Sequence, residues 1–98
     1  MPLTKTQLHH LRVLAHSLKP VVWIGQQGLS DAVMAEIEQA LEHHELIKLK
    51  LRGLDRESRK RQVEEICGRA GAECVQQIGQ TTVLYRRARE RSRLTLPT

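Results

Sequence analysis

The sequence has 98 residues, which allows one domain with a modest core and is too short for two. Its formal charge is +5, and the whole excess comes from residues 52–98, which hold eleven Lys/Arg against six Asp/Glu. A basic domain favours a polyanionic partner, with nucleic acid ahead of an acidic membrane surface, because neutralising phosphates releases counterions. The N-terminus lacks an apolar signal region and the longest apolar run has four residues, so we expect no signal peptide, no membrane span and a cytoplasmic location.

The first predicted element is a helix over about residues 4–18. Thr4 and Gln7 fit a capping box, in which each side chain accepts a hydrogen bond from the other residue's backbone N–H. Apolar residues then recur at helical spacing, at Leu8, Leu11, Leu14, Ala15 and Leu18.

The stretch from Val21 to Ser30 predicts a strand over residues 21–24, a tight loop and the start of a helix that runs to about His44. Two glycines, Gly25 and Gly28, bracket the loop, and Ser30 can cap the helix. Glycines permit a positive φ and a close approach by another chain, while free helix N–H groups point outward, an arrangement that suits a phosphate. A lone Gly-x-x-Gly is an unspecific pattern, however, because any tight strand-to-helix turn can require two glycines.

The rest of the chain predicts a strand, a helix and a hairpin. Residues 47–52 alternate strictly between apolar and basic side chains, which indicates a strand, over residues 46–51, with one buried face and one wet, basic face. Asp55 can cap a third helix that ends at Gly71, and the pair Gly79-Gln80 between two further strands is typical of a type II′ hairpin. Residues 88–98 are rich in arginine with little to bury, so we expect a loosely ordered basic tail.

The order of elements is α-β-α-β-α-β-β, which predicts an α/β domain with a parallel first pair of strands. Loops that leave the carboxyl ends of parallel strands form the ligand-binding edge of such sheets. The segments Gly25–Gly28 and Arg52–Arg56 should therefore share one rim with two helix N-termini.

No arrangement for catalysis is evident in the sequence. The glycine loop lacks the Gly-Lys-Ser/Thr of a P-loop, the histidines lack metal-site spacing, and the serines lack a nucleophile elbow. Cys67 and Cys74 are expected to be buried free thiols. The only aromatic residues, Trp23 and Tyr85, are expected in the core, which excludes a platform that stacks several bases on one sheet.

Three ordered motifs resemble a known family, the stand-alone bacterial CRM-domain proteins of the YhbY family (chloroplast RNA splicing and ribosome maturation). The motifs are residues 18–30, from Leu18 to Ser30; residues 36–48, from Glu36 to Lys48; and residues 78–86, which read Ile-Gly-Gln-Thr-Thr-Val-Leu-Tyr-Arg. The resemblance covers roughly residues 4–87 and implies a single CRM-like domain over residues 1–87. It implies a four-stranded mixed sheet packed with helices, similar to the C-terminal domain of translation initiation factor three.

The resemblance also implies a non-enzymatic RNA-binding protein associated with the precursor of the large ribosomal subunit. We expect a monomer that binds structured ribosomal RNA and that has no metal, cofactor, small-molecule substrate or membrane partner. Many relatives carry a basic residue inside the loop, where this chain has two glutamines, so neighbouring residues must supply the charge. The expected RNA contacts are Gly25, Gln26, Gln27, Gly28, Lys19, Lys48, Lys50, Arg52, Arg56 and Arg86.

Two alternative functions stay open at this point. A small basic α/β domain can also be an architectural protein that binds duplexes, and equal affinity for duplex DNA and structured RNA would favour that function. The acidic second helix instead allows a protein-protein adaptor on the ribosome, which would stay bound to ribosomal proteins after ribonuclease treatment.

Overall fold

The computed structural model describes residues 3–25, 28–90 and 94–97. The described residues form the predicted elements in the predicted order, and no described helix is both long and apolar enough to cross a membrane. The elements are α1 (Lys5–Ala15), β1 (Pro20–Ile24), α2 (Asp31–His44), β2 (Leu46–Leu51), α3 (Arg56–Ala70), β3 (Glu73–Ile78) and β4 (Thr81–Tyr85).

Local signals in the sequence set the ends of the helices. The capping box of Thr4 and Gln7 is present at the start of α1. Ser30 caps α2 by accepting a hydrogen bond from the Val33 N–H at 3.1 Å, which satisfies one of the free N–H groups of the first turn. Gly71 ends α3 in the left-handed conformation, with φ +66°. The predicted caps are therefore confirmed.

The sheet has the strand order β1-β2-β4-β3 and is mixed. β1 and β2 are parallel, as the element order predicted, whereas β4 pairs antiparallel with both β2 and β3. Ile78 pairs with Thr81 across the two-residue turn, in which Gly79 has φ +56° and Gln80 does not have a positive φ. One positive φ at the first turn position is the property of a type II′ hairpin, so that prediction is confirmed.

Each face of the sheet has its own apolar cluster. Helices α2 and α3 cover one face, where the fully buried Ile24, Leu49 and Leu51 meet Ile37 and Ile66. Helix α1 covers part of the other face through a smaller cluster. That cluster consists of Leu11, Ala15, Leu46, Val75, Val83 and Tyr85, with Leu94 and Leu96 packed against it.

The expected positions of Trp23 and Cys74 are wrong, whereas that of Tyr85 is confirmed. Trp23 keeps 54% of its surface exposed, while Tyr85 keeps only 7%. Trp23 lies on the face of β1 opposite to the buried Val22 and Ile24, and α1 does not reach far enough to cover it. Cys74 is a free and exposed thiol, because β3 is an edge strand with its side chains alternating in and out.

The described residues of the C-terminal segment contact the domain, in contrast to the loosely ordered tail that we expected. The carboxylate of the fully buried Glu45 accepts hydrogen bonds from the Ala88 N–H and the Leu94 N–H, both at 2.8 Å. The Gln7 side-chain amide also donates to the Pro97 carbonyl oxygen at 3.0 Å. Glu45 has φ +65°, a backbone conformation that residues with a side chain rarely adopt. The chain changes direction sharply at this residue, between α2 and β2.

Candidate nucleic-acid interface

Three loops meet at one end of the sheet. The Arg52 N–H donates to the Ile24 carbonyl oxygen at 2.8 Å, which joins the carboxyl ends of β1 and β2. The Leu51 N–H donates to the Gln80 carbonyl oxygen at 2.8 Å, which brings the hairpin turn to the same end. We call this end the rim, defined by Gly25, Gly28, residues 52–56 and residues 79–80.

The two glycines of the rim differ in what the backbone requires of them. The Gly28 N–H donates to the Gly25 carbonyl oxygen at 3.1 Å, which holds the two glycines of the loop close together; Gln26 and Gln27 lie outside the described residues. Gly28 has φ +82°, so a side chain there would be strained. Gly25 has no such φ, and a Cβ added there meets nothing within 4 Å among the described residues. The fold therefore requires glycine at Gly28 but not at Gly25.

Two helices begin beside this turn. Ser30 caps α2, and the carboxylate of Asp55 caps α3 by accepting the Ser58 N–H at 2.7 Å. That backbone hydrogen bond, followed by one from the Ser58 hydroxyl, lowers the pKa of Asp55 from its ordinary value of 3.8. The Asp55 charge thus stabilises the N-terminus of α3. The remaining free N–H groups in the first turn of each helix give the rim a positive dipole potential.

Two cationic side chains of the rim have no partner among the residues that the structure describes. Arg52 and Arg56 are exposed, and neither side chain makes a hydrogen bond or ion pair with another described residue. Arg56 and Lys60 line a cleft with Gln77 and the hairpin residue Gly79. Arg59 has a structural role, because its guanidinium donates to the Leu54 carbonyl oxygen at 2.7 Å. The rim therefore holds several charges that can bind an external anion.

The strand lysines lie on the face that α1 partly covers. Lys48 and Lys50 are half-exposed and alternate with the buried Leu49 and Leu51, so the alternation is confirmed, but the basic face is partly covered and not fully open to water. Lys19 is exposed but precedes β1 at the end away from the rim, where it lines a groove together with Lys48.

Arg86 lies at the opposite end of the sheet and is engaged by the protein. Its guanidinium donates to the carbonyl oxygens of Ala70 at 3.1 Å and Glu38 at 3.4 Å, and to the Glu42 carboxylate at 3.3 Å. Only 9% of its side chain is exposed. Because these contacts join α2, α3 and the end of β4, we leave Arg86 out of the candidate interface.

Sequence reasoning missed two parts of this surface. The hairpin turn at Gly79 could be predicted as a turn, but its place beside Arg56 depends on the strand order, for which the sequence has no local signal. The exposed Trp23 was missed because the run Val21–Ile24 is apolar throughout, so periodicity does not show which face is covered.

The described part of the chain contains no group of metal-binding side chains, and its two cysteines are not activated. No three His, Cys, Asp or Glu residues within it are grouped as metal ligands would be. Burial, and then the nearby Cys74 and Glu73, raise the pKa of the Cys67 thiol to about 11, and partial burial of its sulfur raises the pKa of Cys74 although the residue as a whole is exposed. Neither thiol is activated as a nucleophile, because the thiolate is disfavoured in both.

The fold and the rim define a class, a small basic α/β domain with a mixed sheet and a glycine turn between a strand and a helix N-terminus. The family model described as the CRS1/YhbY (CRM) domain matches residues 3–86. The chain therefore belongs to the CRS1/YhbY (CRM) domain family, and this confirms the resemblance carried by the three ordered motifs.

Relatives cover nearly the whole chain. An RNA-binding protein of Haemophilus influenzae is 46% identical over 97% of this chain and 95% of its own length. The protein YqeI of Bacillus subtilis, named as a probable RNA-binding protein, is 35% identical over 97% of this chain and 99% of its own length. A Staphylococcus aureus protein, described with its solution structure as a candidate RNA-binding protein, has a TM-score of 0.83 at 33% identity and covers 98% of this chain and 100% of its own.

Proposed function

We propose that this chain is a non-enzymatic RNA-binding protein that acts in assembly of the large ribosomal subunit and binds structured ribosomal RNA at the rim. One observation carries the proposal, namely that Arg52 and Arg56, both without partners among the described residues, flank a glycine turn where two helices begin. Relatives that match over nearly their whole length are named for RNA binding, which supports RNA as the anion.

The geometry of the rim gives its residues different roles in RNA binding. Gly25, which has open space around its Cβ position, lets a phosphate approach the backbone, and the α2 N-terminus points its free N–H groups toward that phosphate. Arg52, Arg56 and the strand lysines attract the phosphates on either side. These contacts position the RNA by its backbone, so selectivity depends on shape more than on base edges.

The test is equilibrium binding of a large-subunit precursor rRNA transcript over a range of salt concentrations. Charge reversal at Arg52 or Arg56 should weaken binding and reduce the slope of log K against log salt by about one unit for each phosphate that is no longer neutralised. Arg87→Glu is a matched control, because Arg87 is exposed but follows β4 at the end of the sheet away from the rim. It makes the same change in net charge.

Three results would contradict the proposal. If Arg87→Glu lowers affinity and slope as much as Arg52→Glu does, binding depends on net charge and not on the rim. If duplex DNA binds as tightly as the rRNA transcript, the architectural function is favoured. Binding to purified ribosomal proteins that survives ribonuclease, without RNA binding, would favour the adaptor.

A further inference from the structure

The part of the sheet that α1 leaves uncovered presents an aromatic ring beside lysines. Register places one residue from each strand in a row across this surface: Trp23 pairs with Lys50, Lys50 with Thr81, and Thr81 with Ile78. Paired residues on neighbouring strands point to the same face. We call these four residues the open face.

The open face has an exposed apolar side chain at each end. Trp23 is 54% exposed and Ile78 is 66% exposed, and they are the ends of the row. Helix α1 ends above the middle of the sheet, where Ala15 and His16 line a shallow depression beside Ile78. Trp23 makes no hydrogen bond or ring contact with any described residue, and with 54% of its surface exposed it is accessible to a partner.

The side chains around the open face are positively charged, which favours a negatively charged partner. Lys50 stands next to Trp23 in the row, Lys48 lies two residues earlier on the same face, and Arg52 follows at the rim. None of the four residues of the open face carries a carboxylate. A partner that fits must combine a flat apolar surface with negative charge, and an unpaired nucleotide has both.

We propose that the open face binds one unpaired RNA base, which stacks on the indole of Trp23 while Lys50 holds an adjacent phosphate. This inference rests on the proposed function and adds a second, stacking subsite to the rim. Trp23 lies two residues before Gly25 on β1, about 7 Å along the strand. One extended nucleotide can therefore connect a base on Trp23 with a phosphate at the glycine turn.

A single stacked base differs from the multi-base platform that the aromatic content excludes. Stacking accepts any base because every base has a π-face, so it contributes affinity for unpaired RNA without sequence preference. It also gives the protein a reason to prefer a loop or bulge next to a helix over an uninterrupted duplex, whose bases are already stacked on one another.

The experiment uses the fact that Trp23 is the only tryptophan of the chain, so tryptophan emission reports on this residue alone. The probes are a mixed-sequence single-stranded RNA oligonucleotide and a blunt RNA duplex of the same sequence. We expect the single strand to quench Trp23 emission and the duplex to quench it much less. Trp23→Ala should weaken binding of the single strand about 5- to 30-fold, the lower half of the range for one stacked base, with the salt slope unchanged.

Val13→Ala is the matched control, because Val13 is also 54% exposed but lies on α1. It should leave affinity unchanged, and Trp23→Phe should lose less affinity than Trp23→Ala because it keeps an aromatic ring. Since Trp23 is an exposed residue of an edge strand, Trp23→Ala and Trp23→Phe should both keep the fold. Thermal melting verifies this. The proposal is overturned if the wild-type chain binds RNA while Trp23 emission stays constant and Trp23→Ala binds equally well; that result leaves the proposed function standing. Absence of RNA binding by the wild-type chain would overturn both.

Discussion

Replacing the buried carboxylate of Glu45 by an amide should destabilise the domain substantially. Both carboxylate oxygens accept a backbone N–H at 2.8 Å, Oε2 from Ala88 and Oε1 from Leu94, and the residue is fully buried. In Glu45→Gln one oxygen becomes an NH₂ group that faces a donor. Hydrogen bonds to a charged group contribute roughly 1.5–3 kcal/mol each, so two are worth about 3–6 kcal/mol. Because one acceptor oxygen remains, we expect the free energy of unfolding to fall by about 2–4 kcal/mol.

Glu42→Gln is the matched control for this measurement. The Glu42 carboxylate also accepts backbone N–H groups, from Arg89 at 2.9 Å and Glu90 at 3.2 Å, but at the surface where water can replace them. Glu42→Gln also removes the charge opposite Arg86, but the Arg86 guanidinium keeps the carbonyl oxygens of Ala70 and Glu38 as acceptors. The substitution should therefore destabilise the domain less there than at Glu45. The substitution at Glu45 also leaves a non-glycine residue at φ +65°, so the backbone strain is the same before and after.

Urea unfolding followed by circular dichroism measures both variants, and thermal melting provides a second readout. For a domain of this size, the expected loss at Glu45 corresponds to a lowering of the melting temperature by about 10–20 °C. Hydrogen exchange should also show that the amides of Ala88 and Leu94 become less protected. If Glu45→Gln proves no less stable than Glu42→Gln, the buried carboxylate does not hold the C-terminal segment and this explanation is refuted.

Three further predictions concern the glycine turn, acid stability and the thiols. Gly28→Ala should lower the free energy of unfolding by about 1–2 kcal/mol, because Gly28 has a positive φ. Gly25→Ala should leave stability unchanged but weaken RNA binding, and a loss of stability in this variant would contradict the prediction. Backbone hydrogen bonds from Arg89 and Glu90 lower the pKa of Glu42 below its ordinary value of 4.5. The stability that these contacts contribute is therefore complete above pH 4.5 and is lost as the pH falls through the lowered pKa. Amide hydrogen exchange of Arg89 and Glu90 during an acid titration measures this loss. At pH 8 iodoacetamide should modify the exposed Cys74 before Cys67, whose pKa of about 11 disfavours the thiolate; mass spectrometry showing the reverse order would contradict the placement of both.

The local elements could be predicted because their signals lie within a few residues. Thr4 with Gln7 and Ser30 each determine a helix start through a short-range hydrogen bond. Alternation from residue 47 onward shows which side of the strand is buried, because successive side chains point to opposite faces. The parallel pairing of β1 with β2 followed from the helix between them.

The candidate site was predicted in part, since its members are brought together by long-range pairing. The sequence placed Gly25 and Arg52 at one rim through the parallel pair, but the position of the hairpin turn depends on β4 lying between β2 and β3. Arg86 could not be assigned a structural role from sequence, because its three acceptors lie 16 to 48 residues away in the chain.

The exposure of Trp23 and the burial of Glu45 have a common explanation. Composition predicts an aromatic residue inside and a carboxylate outside, but tertiary coverage decides both. Helix α1 is only 11 residues long and leaves Trp23 in solvent. Glu45 follows a helix and would be exposed there, but the C-terminal segment covers it and supplies two N–H groups.

Binding of RNA at the rim can be tested directly by the backbone amide chemical shifts of the protein, recorded as a structured rRNA fragment is added. We expect the largest changes at the rim, at Gly25, Gly28, Arg52 and Gly79, with further changes along β1 to Trp23. Arg87, at the opposite end of the sheet, should change little. Changes concentrated on the acidic outer surface of α2 or around Arg87, with the rim unaffected, would contradict RNA binding at the rim.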